Sequence, residues 1–218
     1  MTGRIGELQA QRSRLSVFYP IVPDAAWLAR LVPLGVKTVQ LRVKDAAPGK
    51  VAREIAAGLD VCRRHGCQLI VNDYWQAALD AGADFVHLGQ EDLASADIAA
   101  LKARGVRLGI STHSPEELAT ALATQPDYVA LGPIYETRLK TMKWVPQGLD
   151  RIADWRRRIG KLPLVAIGGL TPERAKAVLA AGADSLAVVT DFITHADPES
   201  RVRAWLALAA RHAARHGA

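Results

Sequence analysis

Gln40, Arg42 and Lys44 alternate along the chain with Val39, Leu41 and Val43. A period of two describes a strand with one apolar and one polar face. On a solvated edge strand the polar face would meet water. In a closed parallel barrel helices cover the outside, so the apolar side faces them and the polar side points inward. There an amide and two cations at the carboxyl end of one strand would accept an anion. Farther along stand two aspartates, Asp73 after Asn72, and Asp92 at the end of the run His87 to Asp92. Carboxylates with no cysteine or histidine set beside them suit a hard, oxygen-seeking ion such as Mg²⁺, which keeps waters and binds substrate phosphates. Each acidic pair also has the composition of a helix cap. What separates the two readings is whether the aspartates converge with the cations. His87 itself reads as a packed barrel histidine.

The elements that must position these residues follow from Leu15 onward. Apolar stretches at Ser16–Val22, Thr38–Arg42, Gln68–Asn72, Asp84–Leu88, Arg107–Ile110, Tyr128–Leu131, Leu164–Ile167 and Ser185–Val189 read as eight strands. Helical stretches alternate with them: Asp24 capping a helix towards Leu34, then Pro48 to Arg64, Trp75–Ala81, Ser95–Ala103, Pro115–Ala123, Leu149–Ile159, Pro172–Ala181 and Pro198–Arg211. An internal echo supports the parse. Segments beginning at Gly35, Gly82 and Gly182 share one form, with a fourth variant at Pro126: a helix stop followed at once by a strand. Eight strand–helix units in this length give an α/β fold, a single-domain (β/α)₈ TIM barrel over residues 15–218, preceded by an N-terminal extension, residues 1–14.

Function in such a barrel gathers at the carboxyl ends of the strands. The polar residues do gather there. Gln40, Arg42 and Lys44 follow strand two, Asn72-Asp73 strand three, His87 to Asp92 strand four and Ser111-Thr112-His113 strand five. A long loop from Gly132 to Gly148, carrying Lys140, follows strand six. Gly168-Gly169 and Val189-Thr190 follow strands seven and eight, where barrels commonly seat a phosphate on backbone N–H groups. The mouth therefore reads as two anion sites, one with Mg²⁺, Arg42, Lys44 and Lys140, the other of backbone amides. Two phosphorylated groups meeting there imply a transfer with pyrophosphate leaving. The residues by themselves name neither group.

Composition sets the surroundings. Half of the 218 residues are hydrophobic, enough to bury a sizeable core. No segment approaches the ~18 apolar residues of a membrane span. The first fifteen residues lack the apolar core of a secretory signal, which gives a cytoplasmic expectation. The net charge of +6 suits an anionic small-molecule substrate, although much of it falls on outer helices, in Arg156 to Arg158 and from Arg201 to His216. No basic surface interleaved with aromatics speaks for nucleic acid. Cys62 and Cys67 read as buried or inert thiols. A homo-oligomer is compatible with this reading.

Taken together, QLRVK at 40–44, VNDYW at 71–75, HLGQEDL at 87–93, LGISTH at 108–113, PQGL at 146–149 and AIGGL at 166–170 fall in the order and spacing of one family. The chain from about Leu15 onward resembles thiamine phosphate synthase (thiamine-phosphate pyrophosphorylase). The resemblance implies a TIM-barrel transferase that joins hydroxymethylpyrimidine diphosphate to hydroxyethylthiazole phosphate, releasing pyrophosphate. It also implies a dissociative substitution, in which pyrophosphate departs, the aminopyrimidine stabilises a methylene cation and the thiazole nitrogen traps it. By position it assigns Gln40, Leu41, Arg42, Val43, Lys44 and Asn72 to the pyrimidine diphosphate, Ser111 to the pyrimidine, and Lys140 to the pyrophosphate. Asp73 and Asp92 become Mg²⁺ ligands, and Thr137, Gly169, Val189 and Thr190 hold the thiazole phosphate.

Four positions depart from the family's pattern. Glu136 stands for a proline, Leu139 for a second loop threonine, Thr190 for serine, and Asp191 for a small residue. Losing the hydroxyl at Leu139 forfeits a hydrogen bond worth roughly 1 kcal/mol, with Arg138 as its expected substitute in binding. The related thiazole tautomerase, an isomerase on a similar barrel, would need neither the aspartates nor the clamp of Arg42, Lys44 and Lys140. This chain has both.

Overall fold

Alternation of side chains along each strand decides the architecture. A computed structural model describes residues 15–137 and 144–216. Within them eight strands close into one parallel barrel in sequence order, β8 pairing with β1. The strands are β1 (Phe18–Val22), β2 (Thr38–Leu41), β3 (Gln68–Asn72), β4 (Phe85–Leu88), β5 (Arg107–Thr112), β6 (Tyr128–Leu131), β7 (Leu164–Ile167) and β8 (Ser185–Val188). The helices are α1 (Ala25–Leu31), α2 (Pro48–Arg64), α3 (Trp75–Asp80), α4 (Gln90–Ser95), α5 (Ile98–Ala103), α6 (Pro115–Ala123), α7 (Gly148–Ile159), α8 (Pro172–Ala180), α9 (Thr190–Ile193) and α10 (Pro198–His216). The expected barrel is the observed one. The extension at residues 1–14 lies outside the described residues.

Local chemistry sets the helix limits. Asp24 caps α1 by accepting from the Trp27 N–H at 2.9 Å, and Ser114 caps α6 through Glu117 N. Each helix stop of the repeated motif needs a left-handed residue: Gly35, Gly82 and Gly182 take φ of 108°, 68° and 115°, and in the fourth copy Gln125 takes 51°. One expectation is corrected. The helix read over 95–103 begins only at Ile98, as α5, because Ser95 ends the separate helix α4, Ala96 turns extended and Asp97 starts α5 by accepting from Ala100 N at 2.8 Å. The chain after β4 is already helical from Gln90, five residues before the expected start at Ser95, and α9 was not foreseen at all.

Two hydrophobic clusters result. Outward-facing strand residues such as Val39, Leu41, Val71 and Val86 pack under the helices with Leu28, Ile55 and Trp155. Inward-facing Tyr19, Ile21, Ile70, Phe85, Tyr128, Ala130, Val165 and Ala187 fill the barrel. Each fully buried aliphatic side chain contributes roughly 1.5–3 kcal/mol by removal from water. The interior is thus mostly aromatic and aliphatic, with polar groups threaded through it. Gly109 faces its register partner Tyr128, and a Cβ there would stand 2.0 Å from the phenol ring. Gly109 is what admits that ring.

Candidate active site

The first site residues come from β2. Gln40 turns into the barrel, where its Nε2 donates to Tyr19 Oη at 2.8 Å. Leu41 and Val43 turn out into the helix-side core, so only their backbone is available to a ligand. Arg42 is half-buried just past the strand, where its charge acts on both Asp73 and His87. Its guanidinium makes no hydrogen bond or ion pair among the described residues. Lys44 is exposed, and its ammonium has no partner among the described residues either.

Asn72 ends β3 inside the barrel, and its Nδ2 donates to the Asp73 carboxylate. Asp73 adopts φ of 64°, left-handed for a residue with a side chain, and its N–H is held by the His87 carbonyl at 2.9 Å. Such a conformation costs of order 1–3 kcal/mol and persists where surrounding structure fixes it. The cap reading fails here, since the N-cap of α3 is Tyr74, which makes no side-chain cap hydrogen bond. Asp92 sits in the first turn of α4, and its carboxyl lies against that of Asp73. Burial, then the charge and hydrogen bond of Asp92, push the Asp73 carboxyl up to about 6, while Arg42 and Asn72 pull it down. A cleft of about 300 Å³, lined by Asp73, Tyr74, Trp75, Gln76, Asp92 and Ser95, opens beside the pair.

Two facing carboxylates that repel are a group a divalent cation would relieve, and their donors are all oxygen. No group of three or more His, Cys, Asp or Glu side chains gathers for a metal among the described residues. The pair therefore fits an ion that takes few protein ligands and completes its shell with water and phosphate, as Mg²⁺ does.

Ser111 on β5 is partly exposed, and its Oγ lies 2.8 Å from His87 Nε2. His87 is buried, stacks on Tyr128 and reaches its hydroxyl through Nδ1 at 2.7 Å, so it is the packed barrel histidine expected. Burial, reinforced by Arg42, lowers its pKa to about 3.

At the far side of the mouth, Gly168 and Gly169 take φ of 102° and 63°. A Cβ on Gly168 would fall 2.7 Å from Pro133 Cα, and one on Gly169 would fall 2.5 Å from the Glu136 carbonyl. The loop after β6 fills the space these glycines leave on that side. Ile134 N and Tyr135 N bond to the carbonyls of Ile167 and Gly168. Arg174 donates to the Gly169 carbonyl at 2.6 Å and covers the Tyr135 ring. Glu136 is exposed and Thr137 is half-buried. Arg138, Leu139 and Lys140 lie outside the described residues. Val189 precedes α9 and Thr190 opens it. The unusual Asp191 is bound to Arg201 and Trp205.

Sequence reasoning missed Tyr19 and Tyr128. The strand registers carry the signal: Asn72, His87, Gly109 and Tyr128 are successive inward partners, and Ile21, Gln40 and Ile70 form another such row. Behind the rim, His113 is held by Glu117 Oε2 at 2.7 Å and stacks on Trp144 at 5.4 Å.

A parallel (β/α)₈ barrel joins, at its carboxyl-end mouth, a close carboxylate pair to an arginine with no partner among the described residues, the class of barrel that carries an active site at that face. Comparisons narrow it. The thiamine monophosphate synthase family model matches residues 18–192. A thiamine-phosphate synthase of Rhizobium etli is 60% identical over 197 residues, covering 90% of this chain and 97% of the relative. One from Neisseria meningitidis serogroup A is 47% identical over 191 residues, covering 88% and 93%. The fold matches a thiamine phosphate pyrophosphorylase structure from Pyrococcus furiosus with a TM-score of 0.80 at 24% identity, over 92% of this chain and 98% of that one. The chain belongs to the thiamine monophosphate synthase family and is a transferase. No helix among the described residues is long and apolar enough to cross a membrane.

Proposed function

We propose that this chain makes thiamine phosphate from 4-amino-2-methyl-5-hydroxymethylpyrimidine diphosphate and 4-methyl-5-(2-hydroxyethyl)thiazole phosphate, with Mg²⁺, in the cytoplasm. The observation that carries the proposal is the meeting at one mouth of the Asp73–Asp92 pair with Arg42, which has no partner among the described residues. Asp73 and Asp92 would hold Mg²⁺, which supplies charge to the departing pyrophosphate. Arg42, Lys44 and Lys140 clamp the diphosphate, and Asn72 holds Asp73 in place. The bond that breaks joins the pyrimidine methylene carbon to the diphosphate oxygen, and its electron pair leaves with pyrophosphate. The thiazole nitrogen lone pair then forms the new carbon–nitrogen bond. Charge moves onto the leaving group, so fixed cations aimed there stabilise the transition state more than the ground state. Gln40 and Ser111 grip the pyrimidine, with the backbone of Leu41 and Val43 beside them. Thr137, Gly169, Val189 and Thr190 receive the thiazole phosphate, with Arg138 and Leu139 on the same loop.

The test is incubation of the purified protein with both phosphorylated halves, with and without Mg²⁺. Stoichiometric thiamine phosphate and pyrophosphate, formed only with the metal, are expected. Absence of product while the thiazole phosphate is bound or isomerised would overturn the proposal.

A further inference from the structure

An unbroken line of hydrogen bonds crosses the barrel interior beneath the mouth. Gln40 Nε2 donates to Tyr19 Oη at 2.8 Å, and Tyr19 Oη meets Tyr128 Oη at 2.9 Å. Tyr128 Oη meets His87 Nδ1 at 2.7 Å, and His87 Nε2 meets Ser111 Oγ at 2.8 Å. The middle three residues are buried. Both ends are residues that the synthase reading places on the pyrimidine.

The direction of every proton in this line follows from its first bond. Gln40 donates, so Tyr19 Oη accepts there, and its own proton must go to Tyr128. Any other placement would bury that proton without a partner, at a cost of desolvation. Tyr128 accepts from Tyr19 and lies within reach of the Gln40 amide donor as well, so its own proton goes to the one neighbour with a free lone pair, His87 Nδ1. A neutral imidazole has one acceptor and one donor nitrogen. With Nδ1 accepting, Nε2 carries the hydrogen and donates to Ser111 Oγ. With one ring nitrogen accepting and the other donating, His87 is the neutral imidazole this ordering requires. Two groups are left over: the Gln40 amide oxygen, an acceptor, and the Ser111 hydroxyl proton, a donor. Neither has a partner among the described residues.

We propose that Tyr19, Tyr128 and His87 are positioning residues, whose ordered hydrogen bonds present Gln40 as an acceptor and Ser111 as a donor and so select a ring bearing an N–H donor beside an unprotonated ring nitrogen. The proposal rests on the synthase reading and deepens it: a 4-aminopyrimidine offers that edge, and its 4-oxo analogue offers the inverse. Reversing one end of the line requires reversing every bond in it. A lone serine and glutamine could each turn independently.

The direct measurement is the ¹⁵N chemical shift of the His87 side chain in the unaltered protein. Protonated Nε2 and bare Nδ1 are expected, and the opposite tautomer would overturn the proposal. The second measurement is binding by titration calorimetry of the 4-amino and 4-oxo pyrimidine diphosphates. The unaltered chain should favour the amino compound, and Tyr128→Phe and Tyr19→Phe, which keep the rings, should each shrink that preference by about tenfold. Affinity for thiazole phosphate should stay unchanged in both. An equal preference in the unaltered chain and both variants would reduce the line to packing and overturn the proposal. Binding discrimination is read without turnover, so failure to form thiamine phosphate would count against the synthase reading alone.

Discussion

Arg201 holds Asp191 through two contacts of 2.8 Å, Nε to Oδ2 and Nη2 to Oδ1, while Trp205 Nε1 donates to the same carboxylate at 2.7 Å. The acidic residue that follows Thr190 is thereby committed to α10. Arg201→Ala would leave a largely buried carboxylate unpaired, a change that typically costs 3–5 kcal/mol, about the low end here because the indole bond remains. Denaturant unfolding should register the loss, and the KM for thiazole phosphate should rise because a freed negative charge stands beside Thr190. An unchanged KM in a folded Arg201→Ala protein would remove the second half of this account.

On the proposed reading, Asp73 would make Mg²⁺ binding sensitive to acid. Its carboxyl titrates at about 6 in the metal-free fold against 3.8 ordinarily, so the folded state favours the protonated form. That preference stabilises the metal-free fold below the ordinary value and is lost as pH rises towards 6. Mg²⁺ needs the deprotonated form. Its apparent affinity should therefore be flat above pH 6 and fall roughly tenfold per unit below it, for competition with one proton. Mg²⁺ titrations of turnover between pH 5 and 8 measure this. Asp73→Asn should abolish the slope together with most of the activity.

Arg42 and Lys44 carry the same charge in different settings. Arg42 is half-buried against Asp73, whereas Lys44 is exposed to solvent screening. Arg42→Ala should weaken pyrimidine diphosphate binding by about ten- to a hundredfold, the range of a charged hydrogen bond. Lys44→Ala should cost well under half of that in logarithmic terms, and its effect should shrink with added salt. Equal, salt-insensitive losses would show that Lys44 is drawn into the mouth when substrate binds.

Gly109→Ala should be among the most damaging single methyl additions in the barrel. The new atom would enter the space of the Tyr128 ring, and overpacking of this kind costs about 1–3 kcal/mol or more. Thermal unfolding measures the change. Tyr128→Ala in the same chain should recover part of the loss by vacating the collision.

Much of this could be read from the sequence because period-two strands, helix-stop glycines and polar strand ends are local signals. Thr38 to Val43 announced both the barrel and the direction each side chain faces. Asp73 and Asp92 could be paired because each ends or follows a strand on the same rim. What escaped notice depends on registers between distant strands. Tyr19 and Tyr128 are 109 positions apart, and nothing near either one reveals that their hydroxyls meet. The close approach of Pro133 and Glu136 to the glycines after β7 could not be read, because that loop arrives along a path no local pattern encodes. Asp191 looked like an intruder for the same reason: its partners lie on a helix ten and fourteen residues downstream.

The parallel stack of His113 on Trp144, with the planes 5° apart, gives the molecule an optical gauge. An imidazole lying flat on an indole offers an excited-state electron acceptor, so emission from Trp144 should be dim while the rings touch and brighten when they part. Trp144 is also the exposed tryptophan of the described set, at 38% exposure, so its spectrum should sit to the red of that from buried Trp155 and Trp205. It stands four positions after Lys140. If substrate arrival at the mouth parts the two rings, intrinsic fluorescence should brighten in real time, and Trp144→Phe should abolish that change.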